Sequence, residues 1–164
     1  CVIHNDWRFD NVILDPQQPT QVIGVLDWEM ATLGDPLMDL GSALAYWIQE
    51  DDDALMKSSR RQPTHLKGML TRQQVVDYYL EKTGLQPENW AFYEVFGLFR
   101  LAVIAQQIYY RYYHQQTDNP AFKDFWILIH ALHIRALKLI AANNAEAQQL
   151  IPEYGAKLQD ILKR

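Results

Sequence analysis

Short apolar runs rich in β-branched residues open the chain, and longer runs with helical spacing fill the rest. Val12-Ile13-Leu14 and Val22-Ile23-Gly24-Val25-Leu26 flank Asp15-Pro16-Gln17-Gln18-Pro19-Thr20. The two prolines interrupt strand pairing, so the pattern predicts a β-hairpin with a long connection. From Asp35 the period becomes helical. Asp35 is placed to cap a helix whose first position is Pro36, where a missing N–H costs nothing. That helix is expected to run through Leu40, Leu44 and Trp47 and to stop in the acidic stretch from Glu50 to Asp53. Residues 51–68 lack a clear period and include Pro63 and Gly68, which predicts a mobile loop. Thr71-Arg72-Gln73-Gln74 fits a capping box, opening a helix that Gly84 closes. Residues 88–114 read as one long helix, apolar on every side in its middle as a central core helix should be. Pro120 opens a helix expected to reach about residue 142, and a last one spans 152–162. The expected fold class is α+β: a β-hairpin followed by a mainly helical bundle, one domain over residues 1–164.

Composition narrows what such a domain does. Of 164 residues, 49% are hydrophobic and 21% charged, enough to build a core and far from a disordered chain. The net charge is −5 and the longest cationic run is Arg60-Arg61, which argues against a nucleic-acid surface. A single cysteine, Cys1, forms no intrachain disulfide and no cysteine-rich zinc site, and fits a reducing, cytoplasmic setting. The apolar stretch 95–105 is interrupted by Arg100 and followed by Gln106-Gln107. It is expected to be too short and too polar to span a membrane. Motif residues begin at His4 with no signal-peptide core before them, so the natural protein is expected to extend upstream.

The chemistry concentrates in His4-Asn5-Asp6, followed after four residues by Asn11. The protein-kinase catalytic loop has this spacing, with Asp handling the acceptor hydroxyl and Asn binding magnesium. An apolar strand then ends in Asp27-Trp28-Glu29, where kinases place a second metal-binding Asp. If Asp15 pairs with Gln21, Asn11 faces Val25 and Asp27 lies two residues further along, roughly 7 Å of strand rise. Side chains at that separation can converge on magnesium, which prefers hard oxygen ligands and accepts only a few from protein.

Three runs make the likeness specific: His4-Asn5-Asp6 to Asn11, Val25-Leu26-Asp27-Trp28-Glu29, and Thr32-Leu33-Gly34-Asp35-Pro36-Leu37-Met38-Asp39-Leu40. Together they resemble the aminoglycoside phosphotransferase and choline kinase superfamily. The chain is most similar to the subgroup whose kinase-like domain is fused, in some animal proteins, to an acyl-CoA dehydrogenase; Phe99 to Tyr109 shares that likeness. The resemblance covers nearly the whole chain and implies a protein-kinase-like C-terminal lobe. It also implies ATP- and Mg2+-dependent transfer of the γ-phosphate to a hydroxyl of a small molecule. By it, Asp6 is the base or hydroxyl-orienting group, and Asn11 and Asp27 are the magnesium ligands. His4 becomes a structural buttress of the loop. Asp39 hydrogen-bonds back to that loop, and Glu29 serves the metal, a substrate amine or a salt bridge. Arg8 pairs with Asp10 or steadies a phosphate. Asn5 departs from the family, where Gly is common.

A kinase of this type also needs a lobe with a phosphate-covering loop and a Lys that grips the nucleotide. The seven glycines here are scattered singly. ATP is therefore implied by resemblance, the protein's own N-terminal lobe is an expected partner, and the 164 residues alone are expected to be inactive. Two rival readings are a degenerate kinase serving as a binding or scaffold module and a metal-dependent phosphohydrolase. Asp51-Asp52-Asp53 is the nearest thing to an acidic cluster for a polycation, and a solvated loop is the simpler expectation. The subgroup resemblance points instead to hydroxyacyl or related metabolic substrates. Arg100 is expected in a structural ion pair, with a substrate-anion contact as the alternative. Tyr109, Tyr110, Tyr112 and Tyr113 read as packing residues. His130 and His133, three apart on one helix, read as packing rather than as zinc ligands.

Overall fold

The β-structure occupies the first 33 residues, as two separate antiparallel pairs. A computed structural model describes residues 1–142 and 144–162. Strands β2 (Val12–Leu14) and β3 (Val22–Val25) form the expected hairpin, with Asp15 N–H donating to Gln21 O at 2.9 Å. Strands β1 (Val2–Ile3) and β4 (Thr32–Leu33) form a second, two-residue ladder that the hydrophobic pattern does not announce. Such short pairs have no period to read.

The hairpin register corrects the sequence-based expectation. Val12, not Asn11, lies opposite Val25; Ile13 pairs with Gly24 and Leu14 with Val22. Ile23 is the extra residue of a bulge, and counting inward from Asp15 and Gln21 passes over it. Leu26 N–H donates to Asn11 O at 2.8 Å. Asp27 is therefore one residue beyond Asn11's partner rather than two.

Six helices follow: α1 Pro36–Ala45, α2 Ala54–Ser58, α3 Arg72–Thr83, α4 Trp90–Tyr113, α5 Phe125–Ala141 and α6 Ala145–Leu162. The cap of α1 forms as expected, with Asp35 Oδ1 accepting from Leu37 N–H at 2.8 Å. So do the capping box at Thr71 and Gln74 and the left-handed Gly84 (φ 71°). Helix α1 stops two residues before Trp47 because tertiary partners take the backbone that would continue it. Thr64 Oγ1 accepts from Ile48 N–H at 3.1 Å and donates to Ile48 O at 2.8 Å. Arg72 donates to Trp47 O at 2.7 Å, and Asp52 accepts from Gln49 N–H at 2.7 Å.

The expected mobile loop at 51–68 is thus partly ordered structure. Asp53 caps α2, Met56 and Thr64 are buried, and Asp52 is not a solvated acid. Its carboxylate, 11% exposed, holds Arg72 through two bonds at 2.7 and 2.8 Å and lies 3.9 Å from Arg135. Burial alone would push the Asp52 carboxyl up; the hydrogen bonds from Arg72 and the Gln49 amide, with the charges of Arg72 and Arg135, together outweigh it and hold the group below its ordinary range. Residues 51–53 have alternating roles as ligand and cap, which no local period expresses.

Later elements shift in the same way. Asn119 and Pro120 make a short 3-10 turn, and α5 begins only at Phe125. Helix α6 starts at Ala145 because Asn144 Oδ1 accepts from Glu146 and Ala147 N–H, at 3.0 and 3.1 Å; Pro152 lies inside it. The core gathers Ala45, Ile48, Met56, Leu98, Ala131 and Leu132 from α1, α2, α4, α5 and the segment after α1. Helix α4 packs against both α1 and α5. It is not enclosed on every side, however: Leu98 is 1% exposed while the next residue, Phe99, is 64% exposed. By length and composition alone the whole of α4 is apolar enough to cross a membrane, a property that core helices packed as α4 is between α1 and α5 also have. Helices α1 and α4 meet with no room for side chains. A β-carbon on Gly97 would overlap Gly41 O, and one on Gly41 would overlap Tyr93 O.

Candidate active site

The catalytic-loop candidate runs from His4 to Asn11, between β1 and β2, and its shape is imposed from outside. Asp39, one turn into α1, accepts His4 N–H at Oδ2 and Asn5 N–H at Oδ1, both at 2.7 Å. A carboxylate with both oxygens on adjacent amides fixes the entry to the loop. His4, 3% exposed, completes the frame. Its Nε2 lies 2.7 Å from Leu26 O, and its Nδ1 lies 3.2 Å from Asp6 N. A carbonyl only accepts and an amide N–H only donates, so the Nε2–H tautomer satisfies both contacts. His4 thus ties the loop to the end of β3, a buttressing position, and its ring packs against Trp28 at 4.8 Å.

Asn5 adopts φ 67°, the left-handed region. Gly enters that region without steric cost, and Asn tolerates it better than most residues. The Asn5 side chain also donates to Met30 O at 3.0 Å, a bond Gly could not make. The departure at position 5 is thereby accounted for.

Asp6 sits inside this frame with its side chain 15% exposed. Asn11, buried, donates from Nδ2 to Asp6 O at 2.8 Å and reaches Asp6 Oδ2 at 3.3 Å. With Nδ2 turned to Asp6, Asn11 Oδ1 has no hydrogen-bond partner among the described residues and can serve as a hard ligand. Asp27 follows β3 at φ 64° and ψ 49°, so the alternation of the strand ends there and the chain turns into the 3-10 segment Trp28–Met30. Its carboxylate, like that of Glu29, is exposed. Asp6 and Asn11 are brought into contact, and the register places Asp27 at the adjoining position. An amide oxygen and a carboxylate suit magnesium, which binds through few protein groups and keeps water and phosphate oxygens. Among the described residues no group of three or more His, Cys, Asp or Glu could hold a metal ion.

Arg8 takes both nearby acids: Nε lies 3.6 Å from Asp6 and Nη2 3.4 Å from Asp10. The pairing with Asp10 is legible in the sequence, and the one with Asp6 is not. The Arg8 guanidinium also stands over the Tyr46 ring at 5.6 Å. Beyond them a cavity of about 220 Å³ runs between α1, α4 and α5, polar at Arg8, Tyr46, Ser59 and Arg61 and apolar at Ile48, Met56, Leu101 and Leu128. Among the described residues Arg100 does not make the expected ion pair; its contact there is Met30 Sδ, 4.0 Å from Nη2. His130 bonds to Tyr154 OH and His133 stacks on the same ring at 4.3 Å, so this pair packs α5 against α6.

Residues 1–70, which contain every element of this site up to Asp39, match the model of the phosphotransferase enzyme family, APH. Those residues form a domain of that family. The chain is 38% identical over 112 residues to acyl-CoA dehydrogenase family member 10 of Mus musculus, covering 67% of this chain and 10% of that protein. To family member 11 of Rattus norvegicus it is 34% identical over 115 residues, covering 68% and 14%. The chain thus spans only about a tenth to a seventh of these relatives. Among solved structures it is similar to a candidate aminoglycoside phosphotransferase from Ralstonia eutropha. The TM-score is 0.61 and the identity 28%, covering 76% of this chain and 37% of that one. The mostly helical fold with small β-pairs is therefore one found in this phosphotransferase family.

Proposed function

We propose that this chain is the C-terminal lobe of an ATP- and magnesium-dependent phosphotransferase that phosphorylates a hydroxyl of a small molecule. The observation that carries the reading is the loop itself. Asp6 is held by Asn11 and Arg8 in a frame fastened by Asp39 and His4, at the spacing phosphoryl transfer uses. Asp6 accepts a hydrogen bond from the acceptor hydroxyl and aligns its oxygen, taking the proton as the bond to phosphorus forms. Arg8 offsets the charge of Asp6 and Asp10 and is placed to steady a phosphate oxygen. Asn11 Oδ1 and the Asp27 carboxylate are the groups to hold magnesium, which when bound neutralises phosphate charge. The cavity beside Arg8 and Tyr46 is the space open to a small acceptor.

The nucleotide grip belongs to a second, N-terminal lobe over the hairpin, and the exposed Ile13, Leu14, Val22, Ile23 and Trp28 support that placement. The test is ATP consumption by the full-length protein with magnesium, across a panel of alcohols. Stimulation by one alcohol, with stoichiometric phosphate ester, is the expected result. Phosphate release indifferent to any alcohol would make the protein a phosphohydrolase, and no turnover at all would make it a binding module.

A further inference from the structure

The cavity that Arg8 shares with Tyr46 has a polar mouth and an apolar floor, and the mouth adjoins the His4–Asn11 loop. Arg8, Tyr46, Ser59 and Arg61 are the exposed or half-buried polar part of the lining, and Arg8 Nε lies 3.6 Å from the Asp6 carboxylate. This rim is tied across itself. Gln62 Oε1, beside Arg61, accepts from the N–H of Phe9, beside Arg8, at 3.0 Å. Arg61 stands over the Phe125 ring at 5.6 Å, and Ser59 donates to Met56 O at 2.7 Å. Below the rim Ala45, Ile48, Met56, Ala105 and Leu132 form the floor, each 4% exposed or less. None of the five carries an N–H, O–H or oxygen on its side chain. A sugar or polyamine pushed onto this floor would leave its own polar groups unmet, whereas a hydrocarbon chain loses nothing there. Protein interiors hold few voids larger than a water molecule, so an opening of this size over an apolar floor calls for an occupant. An apolar cavity of about 150 Å³ takes benzene, which is about 25 Å³ per carbon. At that ratio this cavity, about 220 Å³, takes about eight or nine carbons.

We propose that the cavity holds the hydrocarbon chain of the acceptor, which is an alcohol with about eight apolar carbons whose hydroxyl stays at the mouth beside Asp6. The inference rests on the kinase reading for the fate of the hydroxyl, and on the cavity itself for the chain. In the transfer the hydroxyl oxygen bonds to the γ-phosphorus of ATP as the phosphorus–oxygen bond to ADP breaks, and the hydroxyl proton passes to Asp6. Ala105 on α4 and Met56 on α2, both on the floor, set the length of chain accepted.

The test has two arms on the full-length protein. In the first, kcat/KM is measured for the straight-chain alcohols from ethanol to decanol, with glycerol and glucose as polar acceptors. A buried methylene is worth about threefold to fourfold in binding, so kcat/KM should climb by that factor per carbon and level off at about eight or nine. Ala105→Leu should move the plateau about three carbons shorter, the carbons it adds to the floor. Met56→Ala should move it about as far the other way. In the second arm, wild-type protein without ATP is photolabelled with an octanol bearing a diazirine at its far end, and the label is mapped by mass spectrometry. Label on the segments of Met56, Ala105 or Leu132, displaced by octanol and not by glycerol, is expected. A flat chain-length profile, a preference for glycerol or glucose, a plateau unmoved in both variants, or no displaceable label on those segments each overturns the proposal. If no alcohol stimulates ATP use but the displaceable label appears, the kinase reading fails and the chain site stands. If an alcohol drives turnover with a flat profile and no such label, the kinase reading stands and the chain site fails.

Discussion

Removing the Asp39 carboxylate should release the catalytic loop without dissolving the helices. Asp39→Ala deletes two bonds of 2.7 Å to the adjacent amides of His4 and Asn5. Hydrogen bonds to a charged group contribute about 1.5–3 kcal/mol each. The two share one carboxylate and are not additive, so a loss of about 2–4 kcal/mol is expected. Asn5 sharpens the expectation, because a left-handed non-glycine residue costs about 1 kcal/mol or more and persists only when its surroundings enforce it. Without Asp39 that constraint is relieved by letting the loop move. Asp39→Asn keeps one good acceptor and should lose about half as much. Urea midpoints report the stability change, and hydrogen exchange followed by mass spectrometry reports the segment from Val2 to Asp6. Because a misplacement of about 1 Å can cost about a hundredfold in rate, activity should fall further than stability suggests. An Asp39→Ala protein with an unchanged urea midpoint and undisturbed exchange at His4 and Asn5 would refute the clamp.

Five further variants have expected outcomes. Asp6→Asn should keep the fold, checked by circular dichroism, while phosphoryl transfer drops about 10²–10⁴-fold. Asp27→Ala should raise the magnesium concentration needed for half-maximal turnover. Asn11→Ala should do so and also lower kcat, since Asn11 holds Asp6; equal magnesium dependence in both variants and wild type would remove the metal assignment. Asp52 has its carboxyl held low in the folded state, so its contribution is present above the ordinary carboxylate pKa and is lost as pH falls through the lowered folded value. The gap in urea midpoint between wild type and Asp52→Asn should therefore be wide at neutral pH and narrow in strong acid. Gly97→Ala should destabilise by about 1–3 kcal/mol, measured by thermal unfolding, because the added methyl meets the backbone of Gly41 and not a movable side chain.

What the sequence displays is whatever has a local cause. The Asp35 cap, the Thr71–Gln74 box and the Gly84 stop are decided within a few residues, and each stands where the pattern puts it. The spacing of His4, Asp6 and Asn11 is equally visible, and the contact of Asn11 with Asp6 follows from it. What stays hidden depends on partners far along the chain. Thr64 and Arg72 end α1 from 16 and 25 residues away, through Ile48 and Trp47. Asp52 is buried because Arg72 and Arg135 meet it, so its acidic neighbours give a misleading signal of solvation. The bulge at Ile23 is a further case: a hairpin's end pairing does not count the residues in between. Arg100 is legible as an anomaly in an apolar helix, but its contact with the Met30 sulfur is a property of the folded surroundings alone.

The contact of Gly41 with Gly97 makes the meeting of α1 and α4 a pivot with no clearance. Asp39 lies two residues from it along one rod and Arg100 three along the other, lever arms of roughly 3 and 4.5 Å at helical rise. A scissoring of about 10° would displace either by less than about 1 Å. The loop fastened to Asp39 and the cation on α4 are therefore gauged against each other by backbone, not by side chains. Drift elsewhere in the bundle can reshape the cavity between α1, α4 and α5 while this spacing endures.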